Sequence, residues 1–501
     1  MKNNNSGTIH ANDWNIDLKL VFMLPLVLVA VLIWMPNEWL LESSLLCISI
    51  FAYILITYKY RLIYGFSGIR IISIPSAVIA TYTVFIAIPS IYILMIRDHQ
   101  NESAYFYSIL LFYYLFPAGL FLGQLYRQID VPRAWSILGS KVETDKGDNI
   151  FYEMGLILFS ICVLILGLYL LRVDQIPLIE VLKNPGGNAK FALMREDALK
   201  TLHMTIVEKY LFHWLRSLFI PFGIVSTLFL TNFYKLKKYK LLFVSFFILG
   251  LFVNSLTLEK SPLAAIFLSI AAYIFLKRTK IKPYFILMLL VIILSGPVLI
   301  SYFLFADRPD VYKVLLWSYI NRILVTPAEV LFYYFQFFPE RHEFLLGRST
   351  QLFSWMTAEG LFNVSNYVAK LWWKMPTTTG SANAHYLGLY WASFGWWGTT
   401  LATLFFGFIT HIFHWKILDV AKYRKNIIYI TSIAVAIPNF TFGFFSSNFT
   451  ILFFTKGLVV LIGFLMVFEY LKTSNNTKAS VLLRNLTIPG LRFKKLTNGA
   501  E

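Results

Sequence analysis

The chain has 501 residues, of which 58% are hydrophobic and only 14% charged, with a mean hydropathy of +0.65 and a formal net charge of +18. A soluble domain carries about 25% charged residues, so this deficit excludes a string of soluble domains and points to lipid as the solvent. The composition predicts one all-α, polytopic membrane bundle over 1–470 followed by a solvated tail, 471–501.

A membrane span needs roughly 20 apolar residues. That rule predicts about twelve spans, at 18–35, 39–58, 71–96, 104–126, 151–171, 210–232, 241–258, 262–276, 283–305, 387–414, 427–447 and 450–470. The first is too long for a signal-peptide core and ends in "PNEW" with no small-residue cleavage site, so it reads as a retained span. The seventh and eighth are short and separated by "EKS", a hairpin that either crosses or dips. Cys47 and Cys162 both lie in apolar runs and read as small core residues rather than a disulfide or metal ligands. The basic clusters "KLKKYK", "KRTKIK" and "KYRKN" fall at ends of spans that share one side, which places both termini in the cytoplasm. The positive charge is then a topology signal, and no nucleic-acid partner is expected.

Two long outward loops, about 172–209 and 306–386, are where function is expected. In the first, "NPGG" makes a turn. After it, Phe191, Met194, Ala198, Leu202 and Ile206 recur at three- and four-residue steps, the pattern of an amphipathic helix lying on the membrane surface and running into the sixth span. Its polar face shows Lys190, Arg195, Glu196, Asp197 and Lys200, either a solvated ion-paired face or a cationic wall with a carboxylate nearby. The second loop carries Arg308, Arg322, Arg341, Arg348 and Lys374. Arg322 stands in an apolar, aromatic run and must either pair with Glu329 or bind an anion, because an unpaired buried charge is costly.

Arg216, in "HWLRSLFIPFG", lies one to two turns inside the sixth span. It is a functional residue by default or a snorkelling one. Lys456 is a weaker case of the same kind. Lys260 stands at the tip of the "LTLEKSPLAA" hairpin, where an ion pair with Glu259 is the plain alternative. A lipid-linked phosphate would sit at this depth. At an effective dielectric near 20, one cation about 4 Å from one negative charge gains roughly 4 kcal/mol. Two or three such cations could hold a pyrophosphate and stabilise it as a leaving group. Mid-span acids of the kind that couple ions to transport are essentially absent, as are a nucleotide loop and an Asp-x-Asp pair, so neither metal nor cofactor is expected.

The stretch "TGSANAHYLGLYWASFGWWG", 379–398, is the most distinctive. Gly388, Ala392, Gly395, Gly398 and Ala402 fall at steps of four, three, three and four, a stripe of small residues on one helical face that lets helices approach closely. The polar run before it delivers His385 just above the membrane. There it is either a base for a hydroxyl acceptor or a hydrogen-bonded interfacial imidazole. The small residues leave room for a bulky polar ligand such as a sugar chain, on which nearby aromatics could stack.

The order "FLLGRSTQLF", then a polar segment, then "GSANAHYLGLYWASFGWWGTTLATLFFGFI" resembles the bacterial oligosaccharide repeat-unit (O-antigen) polymerases of the Wzy type. The hairpin "LEKSPLAAIFL" is similar to the basic-plus-small turn of that family, with Lys260 where arginine is commoner. An arginine–glycine spacing found in some members is exceeded by one residue between Arg348 and Gly360. The resemblance implies a metal-independent membrane glycosyltransferase of the inner membrane with two large periplasmic loops. Its substrate would be an undecaprenyl-pyrophosphate-linked oligosaccharide, and a chain-length regulator and a flippase would be its further partners. It implies that Arg195, Arg216, Lys260, Arg308, Arg322 and Arg348 contact pyrophosphate and glycan. His385 is then the candidate base, with Glu196 as second choice. An O-antigen ligase shares the layout and differs in its acceptor. A lipid-linked oligosaccharide flippase and a structural scaffold are the readings from other classes.

Overall fold

The computed structural model describes residues 40–59, 73–97, 102–128, 148–173, 175–183, 204–277, 321–350, 354, 359–378, 380–421, 427–444 and 448–473. Among these the regular structure is helical, and strands are absent. In lipid the backbone must satisfy its own polar groups, which a long apolar run does by becoming a helix. Six helices are long and apolar enough to cross a membrane: Ile74–Ile96, Glu102–Tyr126, Phe151–Arg172, Ile206–Tyr234, Lys237–Ser255 and Tyr386–Val420. Four shorter apolar helices accompany them at Leu40–Tyr53, Ser261–Lys277, Ile427–Thr441 and Leu458–Val467. Ten of the twelve predicted spans thus fall on described helices. The first and ninth, 18–35 and 283–305, lie outside the described residues.

In chain order the helices used below are α1 (Leu40–Lys59), α2 (Ile74–Ile96), α3 (Glu102–Tyr126), α4 (Asp148–Arg172), α5 (Pro177–Lys183), α6 (Ile206–Tyr234), α7 (Lys237–Ser255) and α8 (Lys260–Lys277). They continue with α9 (Thr326–Phe337) and α10 (Val364–Trp372). The expected amphipathic helix does not run unbroken into α6. Thr205 is extended (φ −62°, ψ 160°) and forms a capping box with Glu208, its hydroxyl accepting from the Glu208 N–H while the carboxylate accepts from the Thr205 N–H. That arrangement satisfies two orphan donors and starts a new helix.

The run Tyr386–Ala421 is not one straight helix. Gly395 has φ 56°, ψ −134° and divides it into α11 (386–394) and α12 (396–421). The Tyr386 hydroxyl donates to Thr403 Oγ1 at 3.0 Å, and its ring lies 5.3 Å from Phe406. On a straight helix, residues 17 apart would be separated by about 25 Å. The chain therefore reverses at Gly395, and α11 runs back alongside α12. The expected stripe of small residues is broken at that point. Gly395 serves the turn, and Gly388 packs α11 on Leu331 and Tyr334 of α9.

The closest helix crossing is elsewhere. A Cβ at Gly407 would fall on the carbonyl oxygen of Phe116, and one at Gly119 on that of Leu404. Glycine at both positions is what lets α3 and α12 meet backbone to backbone. At Gly395 an added Cβ would lie 2.9 Å from the Phe344 ring as well as in the left-handed half of backbone space. Gly395→Ala is therefore expected to cost about 2–3 kcal/mol, read as a lower thermal midpoint in detergent, with Gly167→Ala, where a Cβ meets nothing within 4 Å, as the neutral control.

The helix Ile427–Thr441 (α13) packs against α8 and α6, and Leu458–Thr473 (α14) closes the described chain. Three wide π-turns interrupt the helices, at Thr83–Ala87, Leu215–Phe219 and Ile451–Thr455. The first two are followed by Pro89 and Pro221, which have no N–H to continue the ladder. Such turns recur at functional sites, and each of these three adjoins a group considered below.

Candidate functional site: a buried charge cluster and a polar cleft

The segment 380–385 has no regular secondary structure, although it leads into the middle of the bundle. Non-helical backbone at such depth must be satisfied by protein or water, and here side chains do it. Asn366 of α10 donates to the carbonyls of Thr378 (3.0 Å) and Gly380 (2.9 Å). The Tyr334 hydroxyl donates to the Ala382 carbonyl at 2.9 Å, and the Ala382 N–H donates to Ser365 O. The loop after α9 then caps α11. The N–H groups of Leu345 and Leu346 donate to the carbonyls of Ala392 and Ser393, both at 2.9 Å, and the hydroxyls of Ser349 and Ser393 are bonded.

His385 lies at the inner end of this segment, enclosed by aromatic rings. It is 2% exposed, with its ring centroid 5.4 Å from Tyr82, 6.5 Å from Phe112 and 4.4 Å from Tyr386. Phe112 is ten residues into α3, about 15 Å from that helix's start at 1.5 Å per residue. The Leu387 N–H donates to His385 Nδ1 at 3.4 Å.

Beside this segment is a cleft of about 300 Å³ between the start of α10, residues 383–389 and residues 448–451. Ser349, Asn363, Ser365, Asn383, Asn448 and Thr450 supply its polar wall, and Phe362, Leu361, Leu389 and Ile451 its apolar one. Ala384, not His385, contributes to the lining, because the imidazole points toward Tyr82 and Phe112. Arg348 borders the cleft. Its guanidinium pairs with Glu359 and lies 5.6 Å from the Phe362 ring centroid.

The second feature is a cluster of charge around Arg216, carried by the π-turn of α6. Arg216 is 3% exposed. Its Nη2 donates to Thr257 Oγ1 at 2.8 Å and to Glu259 Oε2 at 2.5 Å, and the guanidinium lies 5.4 Å from the Phe212 ring centroid. Lys456 and His213 face the same carboxylate. Burial pushes the Glu259 carboxyl up, but the Arg216 charge and hydrogen bond outweigh it, with Lys456 and His213 adding to them, and hold it below its ordinary value. The segment 448–456 links the two features: Asn448 and Thr450 line the cleft, while Lys456, past the third π-turn, faces Glu259.

The predicted site residues divide accordingly. Arg216 is brought to the hairpin tip, where it takes Glu259, the residue before Lys260; Lys260 itself begins α8. Arg348 and His385 flank the cleft from different sides. Arg322 is exposed and is not the partner of Glu329. That carboxylate is paired with Arg97 at 2.6 Å, which α2 delivers to α9 from 232 positions away. Arg195, Glu196 and Arg308 lie outside the described residues. Sequence reasoning missed Thr257 and the amides of Asn363, Asn383 and Asn448. The signal for Asn448 is a polar "SSN" inside the apolar run "FGFFSSNFTILFF". Among the described residues no group of three or more His, Cys, Asp or Glu side chains could hold a metal ion.

Among the described residues, fold and site define a helical protein with six helices long and apolar enough to cross a membrane and a non-helical segment, 380–385, packed among them. No family model, curated protein or solved structure matches this chain.

Proposed function

We propose that the protein is a membrane enzyme that polymerises lipid-linked oligosaccharide repeat units. It would transfer the growing glycan from undecaprenyl pyrophosphate to a new repeat unit on the outer face of a bacterial inner membrane. In this reading the chain has about twelve spans and both termini in the cytoplasm. The observation that carries it is the single segment 448–456, which joins a hydroxyl- and amide-lined cleft to a buried cluster with two cations and one carboxylate. Transfer breaks the bond between the anomeric carbon and the phosphate oxygen and forms one to the acceptor hydroxyl oxygen. The departing pyrophosphate needs cations, and the hydroxyl proton needs a base. Arg216, Lys260 and Arg348, with Arg195, Arg308 and Arg322 in the loops, are the proposed phosphate and glycan contacts. His385 reaches the cleft only by turning its ring away from Tyr82 and Phe112. Glu196 is the other proposed base.

The test is the surface-glycan ladder of a strain lacking the gene, run beside its parent. Collapse to core plus a single repeat is the expected result. Loss of every glycan-bearing band, with long polymer accumulating on undecaprenyl pyrophosphate, assigns a ligase instead. Complementation with Arg348→Ala is expected to leave the collapsed pattern with the protein still in the membrane. His385→Gln that restores the full ladder would move the base to Glu196.

A further inference from the structure

The cleft carries chemistry of its own. Among the described residues its lining contains no charged side chain, and Arg348 at its edge is paired with Glu359. What it offers instead is hydroxyls, carboxamides and the aromatic rings of Phe362 and Tyr334. Asn448 is 7% exposed, and its Oδ1 accepts from the Ile451 N–H at 3.0 Å. That bond fixes the amide's orientation and leaves its NH2 group without a partner among the described residues. Asn363 uses its oxygen twice, accepting from the Asn366 N–H at 3.2 Å and the Ser365 hydroxyl at 3.1 Å, so its NH2 group is spare as well. Asn383, exposed on the opposite wall, adds a third amide. An amide NH2 donates, and hydroxyls donate or accept, so the wall complements a ligand dense in hydroxyl and ether oxygens. The volume is at the lower end of the ~300–1,000 Å³ typical of small-ligand sites.

We propose that this cleft is the acceptor-sugar subsite and takes an uncharged pyranose, its ring against Phe362 and its oxygens on the amides of Asn363, Asn383 and Asn448. A uronic acid is disfavoured, because among the described residues a carboxylate there would find amide dipoles and a cation already paired with Glu359, and a desolvated charge without a partner is costly. The assignment as an acceptor subsite rests on the function proposed above. The selection for a neutral, hydroxyl-rich ligand rests on the lining alone.

The experiment uses the full chain in lipid nanodiscs and titrates two probes. One is the free oligosaccharide released from the host's own repeat unit with any terminal sugar kept neutral. The other is the same oligosaccharide oxidised at C6 of that sugar to the uronic acid. Saturable binding of the neutral probe, at least tenfold weaker for the oxidised one, is expected. Asn448→Asp keeps an acceptor for the Ile451 N–H, and so the local fold, but loses the donor. It and Phe362→Leu are each expected to weaken neutral binding tenfold or more, with an unchanged thermal midpoint as the check on folding. Absence of neutral binding, equal binding of both probes, or binding indifferent to both variants overturns the proposal. A ladder that collapses on gene deletion while the cleft fails these tests leaves the polymerase reading standing. An unchanged ladder with selective binding does the reverse.

Discussion

Gly407→Ala is expected to be among the most damaging small substitutions at the described glycines. The added methyl would meet the Phe116 carbonyl oxygen, with the Gly119 Cα and Leu120 N both 3.0 Å away. No rotamer can relieve a clash of Cβ with backbone, so α12 must move off α3. Overpacking of a core costs 1–3 kcal/mol when side chains can yield, and here they cannot, so a loss of at least about 3 kcal/mol is expected. A fall in the unfolding midpoint in detergent reads it. Gly463→Ala, where a Cβ meets nothing within 4 Å, should be unchanged or slightly stabilised, since alanine favours a helix over glycine by about 1 kcal/mol.

Glu259→Ala leaves the Arg216 guanidinium buried without its carboxylate. Removing one partner of a buried pair costs about 3–5 kcal/mol. Glu259's side chain is 32% exposed against 4% for that of Arg216, so the lower end, about 3 kcal/mol, is expected. The double variant with Arg216→Met should recover much of this loss, because no orphaned charge remains. The same pair gives a pH signature. Glu259 has its carboxyl held below the ordinary 4.5, so the pair's contribution is complete above that value and is lost as pH falls through the depressed one. The wild-type unfolding midpoint should therefore drop below pH 4.5 more steeply than that of Glu259→Gln. Parallel curves would show that the pair is not what titrates.

The apolar helices were legible in the sequence because a long apolar run has little besides a helix in which to satisfy its backbone. The residues of α3 or α6 could hardly do otherwise. The reversal at Gly395 was not legible. Glycines recur at helical steps on both sides of it, and periodicity cannot tell a glycine used for packing from one used for a turn. What decides is the left-handed backbone at Gly395 and the loop 344–346 waiting to cap α11. The burial of His385 was not legible either, since a polar run before an apolar one gives no sign of the rings that enclose it. Arg322 and Glu329 are two helical turns apart, which suggested a pair. The partner that tertiary packing supplies, Arg97, lies just past the end of α2 and no local spacing points to it. Arg216 was legible as a residue that needed a partner. The identity of that partner depended on the hairpin folding back to present Glu259.

The non-helical segment also bears on how the chain is made. While still alone, residues 386–421 are apolar enough to enter a bilayer as one straight helix, and residues 380–385 could not follow them with bare backbone. The groups that satisfy the backbone of this segment belong to Tyr334, Ser365, Asn366 and Thr378. All of these precede the segment in the chain, so translation completes the cradle before its occupant emerges. Chain order thus gives assembly a direction: α9 and α10, which hold the segment, are synthesised before it.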